Sequence, residues 1–144
     1  MELPFARRDP GAELPQARHP GDAGLDLRAA IDATVGPGER VMIPTGVAVA
    51  IPTGYAGLVL PRSGLAARQG LTMANAPGLI DAGYRGEIVC AVVNLDRATP
   101  VVIARGDRIA QLVVVALPDV APVWVEDLPP SARGDGGFGS TGVG

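Results

Sequence analysis

Apolar positions in this chain come in short runs broken by glycine, proline and polar turn residues, the pattern of an all-β fold. From Val35 to Pro61 turns and runs alternate as VGPGER, VMIPTGVAVAIPTGY and GLVLP. They predict successive strands of a sandwich or jelly roll, with Pro44 and Pro52 at strand ends or edges. The run IVCAVVNL is apolar on both faces, which predicts a central or interface strand. Residues 96–104 lead back to RGDRIAQLVVVAL, where Arg105, Gly106 and Asp107 make a turn before another buried strand. Gln111 is the polar residue inside that strand, and a buried amide needs a partner, main chain or ligand. Residues 1–21 show no clear period and predict an edge strand with loops.

Four stretches depart from the strand pattern. PRSGLAARQG, residues 61–70, predicts a short helix capped by Ser63 and stopped by Gly70, with Arg62 just ahead of it. Unpaired N–H groups at such a start, beside an arginine, suit a phosphate, although a capped connector with a surface arginine reads equally well. GLIDAGYRGEI, residues 78–88, joins two apolar runs and reads as a β-hairpin tip holding Asp81, Gly83 and Tyr84. In GDAGLDLRAA, Asp22 and Asp26 would share one face if both lay in a strand, where two carboxylates could attract a divalent cation directly or through water, but a turn aspartate beside a surface aspartate is the preferred local reading. From Pro129 the chain reads PPSARGDGGFGSTGVG, with six glycines in sixteen residues. Such a segment is expected to be mobile unless something orders it, which divides the chain into a β domain, 1–128, and an arm, 129–144.

Composition narrows the chemistry. At 144 residues the chain forms one domain, and with 20 glycines, 14 prolines and only two Phe, two Tyr and one Trp, its core must be aliphatic. Phe138 lies in the arm, where no core exists, so its ring is free to stack on a base, while Arg133 and the neighbouring N–H groups can clamp phosphate oxygens. The single Cys90 sits within an apolar run and rules out a disulfide framework or a cysteine-based zinc site. His19 is the one histidine, in a loop-like stretch, and supports no Ser-His-Asp triad. All twelve basic residues are arginine, which excludes a P-loop lysine and a Schiff-base lysine. A net charge of −3 argues against a nucleic-acid-binding face. No run has membrane-spanning length and MELPFARRDP lacks a signal-peptide core, so a soluble, cytoplasmic protein is expected.

Taken in order, DAGLDL from Asp22, PRSGLA from Pro61, NAPGLIDAGYRGEI from Asn75, RGDRIAQL from Arg105 and RGDGGFGSTG from Arg133 resemble the five motifs of the homotrimeric dUTPases. The resemblance spans nearly the whole chain. It implies a jelly-roll-like subunit, three of which share active sites at their interfaces. It implies hydrolysis of dUTP to dUMP and pyrophosphate, which keeps uracil out of DNA, with Asp81 as the base that activates water for attack on the α-phosphorus. By the same resemblance Asn75 and the main chain of Leu79, Ile80 and Val89 would read uracil, and Tyr84 would pack on the deoxyribose. Arg62, Ser63, Gly64 and Gln111 would hold phosphates, while Arg133, Phe138, Gly139 and Ser140 would close over the nucleotide. Mg2+ would travel mainly with the triphosphate, with Asp26 reaching it through water. Two alternatives stand beside this: a dCTP deaminase-like or bifunctional relative on the same fold, and a trimeric regulatory protein that binds nucleotide without turnover.

Overall fold

The computed structural model describes residues 1–137. Two four-stranded antiparallel sheets enclose the core. In spatial order the first contains β1 (Phe5–Arg7), β4 (Arg40–Val49), β8 (Glu87–Asn94) and β6 (Leu71–Met73). The second contains β2 (Leu25–Arg28), β10 (Arg108–Ala116), β5 (Tyr55–Pro61) and β7 (Gly78–Ile80). β3 (Ala33–Val35) and β9 (Val101–Ile103) form a two-stranded pair, and α1 (Ser63–Gln69) joins β5 to β6. The all-β expectation with one short helix therefore holds, and the sheets among the described residues are open, without closure into a barrel. No helix among these residues is long and apolar enough to cross a membrane.

The core follows from period-two alternation. Ile43, Cys90 and Val92 from one sheet meet Leu27, Ala110 and Leu112 from the other, all without exposed surface. Each buried aliphatic of Val or Leu size contributes roughly 1.5–3 kcal/mol over its exposed state. Burial also pushes the Cys90 thiol up to about 12, so at neutral pH it is a protonated packing residue, as its apolar run implied. β8 lies between β4 and β6, the central position its composition predicted. Its inward face is fully packed, but Val89 on the other face is 41% exposed.

Several sequence expectations give way to tertiary pairing. β7 does not pair back onto β8 as a hairpin; it pairs with β5 in the opposite sheet, while β8 pairs with β4 and β6. The segment holding Asp81 and Tyr84 is thus a link between sheets. Pro44 sits inside β4, opposite Val89, at a register shift that runs to Ala48, and the bulge tolerates a residue with no N–H. β9, read as part of a connection, is a strand because it pairs with β3. Ser63 is the first helical residue: Arg62 holds the N-cap position and no side chain caps the helix, whereas Gly70 ends it at φ 68 as expected. Asp22, by contrast, is the turn aspartate of the local reading: it lies ahead of β2, its carboxylate accepting the His19 N–H at 2.9 Å, and shares no strand face with Asp26.

One buried polar side chain ties these pieces together. Asn94 has no exposed surface; its Nδ2 donates to the Val35 carbonyl at 3.0 Å and the Thr99 carbonyl at 2.9 Å, and its Oδ1 accepts the Asp96 N–H at 2.9 Å. Asn94→Ala strands those groups in the interior, and a destabilisation of at least about 2 kcal/mol is expected in urea unfolding.

Candidate functional site

Two clefts gather the residues that carry chemistry. The first, about 440 Å³, opens beside the start of α1 and is lined by Asp26, Arg62, Ser63, Gly64, Arg108 and Gln111, with Arg18 and His19 alongside. Strand register builds it. Gln111 on β10 stands opposite Asp26 on β2 and Leu60 on β5, so its side chain shares a sheet face with the carboxylate. A register shift between Arg108 and Ala110 interrupts the ladder, the kind of bulge that re-aims a side chain at a functional site. Asp26 then receives two arginines: Arg62 Nε at 3.3 Å from Oδ1 and Arg108 Nη1 at 2.9 Å from Oδ2. Arg62 Nη1 also donates to the Arg108 carbonyl at 3.2 Å.

Gln111 was expected to be a buried amide. It is only partly buried: its Nε2 donates to the Pro61 carbonyl at 3.1 Å, and its side chain lies so close to Gly24 that a Cβ there would stand 3.1 Å from Cδ. Leu65 and Ala66 both donate to the Arg62 carbonyl. The N–H groups of Ser63 and Gly64, ahead of them, have no acceptor within the helix.

The second cleft, about 170 Å³, is lined by Asn75, Leu79, Ile80, Asp81, Tyr84 and Val89. Its walls belong to different sheets. β7 is the last strand of its sheet, so its outer edge is unpaired, and β6 pairs with β8 only at Val92–Asn94, with Ala74 N–H reaching the Ala91 carbonyl. The flank of β8 at Val89 therefore also lacks a strand partner on that side. Leu79, 64% exposed, and Val89 add apolar surface, while Ile80 is buried beneath.

Asp81 opens the turn and is exposed, and its carbonyl accepts the Tyr84 N–H at 3.0 Å. The Tyr84 hydroxyl donates to the Glu87 carbonyl at 2.9 Å, which fixes the ring over Gly86. A Cβ at Gly86 would meet that hydroxyl and come within 2.5 Å of Cζ, so the ring position requires glycine.

The residues singled out from sequence thus separate into two groups within one chain. Arg133 joins neither: it is exposed, and its Nε donates to the Gly136 carbonyl at 2.7 Å. Phe138, Gly139 and Ser140 lie outside the described residues. Sequence reading did not assign roles to Arg108 and Gly86. Each lies within a quoted motif, Arg108 three residues before Gln111 and Gly86 two after Tyr84, but only packing reveals its work.

Magnesium can be tested against the donor set. Both Asp26 oxygens are engaged by guanidinium groups, and among the described residues no three acidic, histidine or cysteine side chains gather to hold an ion. These residues do not fit a protein-held ion, which needs several oxygen ligands.

Comparison with known proteins agrees with the geometry. The dUTPase family model matches residues 11–142. The deoxyuridine 5'-triphosphate nucleotidohydrolase of Thermobifida fusca is 59% identical over 142 residues, covering 99% of this chain and 79% of that protein. That of Mycolicibacterium gilvum is 57% identical, covering 97% and 94%. The solved Staphylococcus bacteriophage 80alpha dUTPase with dUPNHPP superposes with a TM-score of 0.92 at 32% identity, over 99% of each chain. A dUTPase mutant from phage phi11 of S. aureus, whose structure details a structural Mg(II) ion, has a TM-score of 0.83 at 29% identity over 90% of this chain and all of that one. With the motifs in order, the sheets in register and the family match running from residue 11 to residue 142, the chain belongs to the dUTPase family.

Proposed function

We propose that this chain hydrolyses dUTP to dUMP and pyrophosphate. The observation that carries the reading is the second cleft, where two unpaired strand flanks and an exposed carboxylate meet around a narrow opening of mixed polar and apolar lining. Unpaired main-chain groups on two strands can hydrogen-bond the edge of a flat base as a partner strand or base would. Asn75 and the backbones of Leu79, Ile80 and Val89 take that role for uracil. Tyr84, seated on Gly86, packs on the sugar and excludes a 2′-hydroxyl.

Asp81 accepts a proton from a water molecule as the water oxygen bonds to the α-phosphorus. The bond from that phosphorus to the bridging oxygen breaks, and pyrophosphate leaves with the electron pair. A positioned base contributes roughly 10²–10⁴-fold, less than enzymes of this kind require, so groups around the phosphates must supply the larger share. In the first cleft Arg62, Ser63, Gly64 and Gln111 hold the phosphates. Arg133 with Phe138, Gly139 and Ser140 closes over the nucleotide. The substrate is the triphosphate as its magnesium chelate, and no step is assigned to a metal held by this chain.

The two clefts are separate in one chain, so a complete site on this reading takes one cleft from each of two subunits and the arm from a third, in a homotrimer of jelly-roll-like subunits. Unsatisfied apolar surface supports assembly with further copies. After β10 the segment 117–128 leaves Val123, Leu128 and a fully exposed Trp124 without packing.

Asp81→Asn is expected to retain nucleotide affinity and lose at least about 10²-fold in turnover, checked by pyrophosphate release from dUTP; near-normal turnover would remove Asp81 from the mechanism. Truncation after Pro130 should leave a folded trimer by light scattering and abolish most activity, and full activity would make the arm dispensable. Gly86→Ala should displace the Tyr84 ring and lower the kcat/KM preference for dUTP over UTP by about tenfold or more, and an unchanged preference would separate the ring from sugar choice. Incubation with dCTP tests the deaminase alternative directly, since release of ammonia, with dUTP or dUMP formed, would establish it.

A further inference from the structure

We infer that Glu87 is a positioning residue: its carboxylate holds the β4 bulge and so fixes the main-chain carbonyl from which the Tyr84 ring hangs, which sharpens the choice between deoxyribose and ribose. The inference rests on reading Tyr84 as the ring that packs on the sugar. The start of β8 needs such an anchor because the ladder is interrupted there. Pro44 stands opposite Val89 and Ala48 opposite Glu87, so Thr45, Gly46 and Val47 face Ile88 alone. Backbone groups in a bulge of this kind cannot all find ladder partners, and here two side chains stand in for them. The Thr45 hydroxyl donates to the Ile88 carbonyl at 2.7 Å, and Glu87 Oε1 accepts the Gly46 N–H at 2.7 Å.

Gly46 is a firm point of attachment. It is buried, in left-handed backbone at φ 73, and a Cβ there would stand 2.8 Å from Ala12 Cβ and 2.9 Å from Asp9 Cβ. Its carbonyl accepts the N–H groups of Arg8 at 2.7 Å and Asp9 at 3.2 Å. Gly46 therefore carries the N-terminal segment on its carbonyl and Glu87 on its N–H. A bond to a carboxylate is stronger than one between neutral groups, and its removal leaves a buried N–H without an acceptor. At its other end Glu87 offers its carbonyl to the Tyr84 hydroxyl at 2.9 Å. The Tyr84 residue is 46% exposed, so little packing holds the ring, and this hydroxyl bond sets its direction. Glu87 lines the second cleft with Asp81 and Tyr84, yet its carboxylate is engaged by the bulge.

The test compares kcat/KM for dUTP and UTP in the full-length protein. Glu87→Ala is expected to lower the preference for dUTP by about tenfold, mainly through a lower KM for UTP. Glu87→Gln, which keeps an oxygen to accept the Gly46 N–H, should retain most of the preference. Amide hydrogen exchange at Gly46 should quicken in Glu87→Ala and not in Glu87→Gln. Added to Tyr84→Ala, Glu87→Ala should cause no further loss, because it acts through the ring. Glu39→Ala is the matched control: Glu39 accepts the Gly36 N–H at 2.7 Å outside both clefts, and its removal should leave the preference unchanged. Thermal midpoints show whether Glu87→Ala folds; where it does not, Glu87→Asp, one methylene shorter, carries the same expectation. An unchanged preference in whichever of these folds overturns the proposal. So does a loss in Glu87→Gln as large as in Glu87→Ala, a further loss in the double variant, or an equal loss in Glu39→Ala. If Tyr84→Ala leaves the preference unchanged, the sugar reading itself fails; loss in Tyr84→Ala with none in Glu87→Ala fails only the role of Glu87.

Discussion

The excursion of the chain from one sheet to the other between Met73 and Glu87 is the constraint on which the rest depends. β6 ends in the first sheet, β7 joins the second through Gly57, Leu58 and Val59, and β8 returns to the first. Because β7 buries Gly78 and Ile80 while Leu79 points outward, its register is set by the core. The return is pinned as firmly: the Thr45 hydroxyl donates to the Ile88 carbonyl at 2.7 Å, and the Glu87 carboxylate accepts the Gly46 N–H at 2.7 Å. Those bonds exploit the β4 bulge at Pro44, which frees backbone groups that a regular ladder would consume. A turn suspended between two anchored strands can hold a carboxylate and a ring in fixed relation to unpaired backbone edges.

Arginine does the remaining tethering in a chain without lysine. Arg105 grips the Asp9 carboxylate and the Ala30 carbonyl, and its own N–H reaches Asp32 at 2.7 Å, so the N-terminal segment is tied to the β9–β10 turn. The Arg105 side chain, with the Gly11 N–H, holds the Asp9 carboxyl below the usual carboxylate range. From the same segment Arg8 donates to the Arg85 carbonyl at 3.0 Å, beside Tyr84. Planar, multidentate guanidinium groups suit these fork-like tasks, in which one side chain satisfies several carbonyls or carboxylates at once.

On the proposed reading, site chemistry and assembly are coupled through what the isolated chain leaves open. The cleft at Asp81 and the cleft at Arg62 are lined by different residues, and the strand flank at Val89 and the segment beyond Ala116 carry apolar surface that no part of the same chain covers among the described residues. Under the proposed reading, packing of copies would complete the site and bury that surface together, which makes activity depend on association.

Local pattern was enough to determine the all-β class, the aliphatic core, the inert Cys90, the helix stop at Gly70 and the five motif segments, because alternation, turn chemistry and glycine conformation act over a few residues. Pairing partners lie beyond that range. Whether residues 78–88 form a hairpin or a link between sheets depends on competition between β5 and β8 for β7, and β5 wins because Gly78 and Ile80 then reach the core. The same limit hid the strand character of β9, the interior place of Pro44 and the two arginines that converge on Asp26. Residues 82 positions apart, such as Asp26 and Arg108, meet only when the register of β2 on β10 is set. Chain order thus supplied the chemical groups, and the exchange of strands between sheets decided which of them stand together.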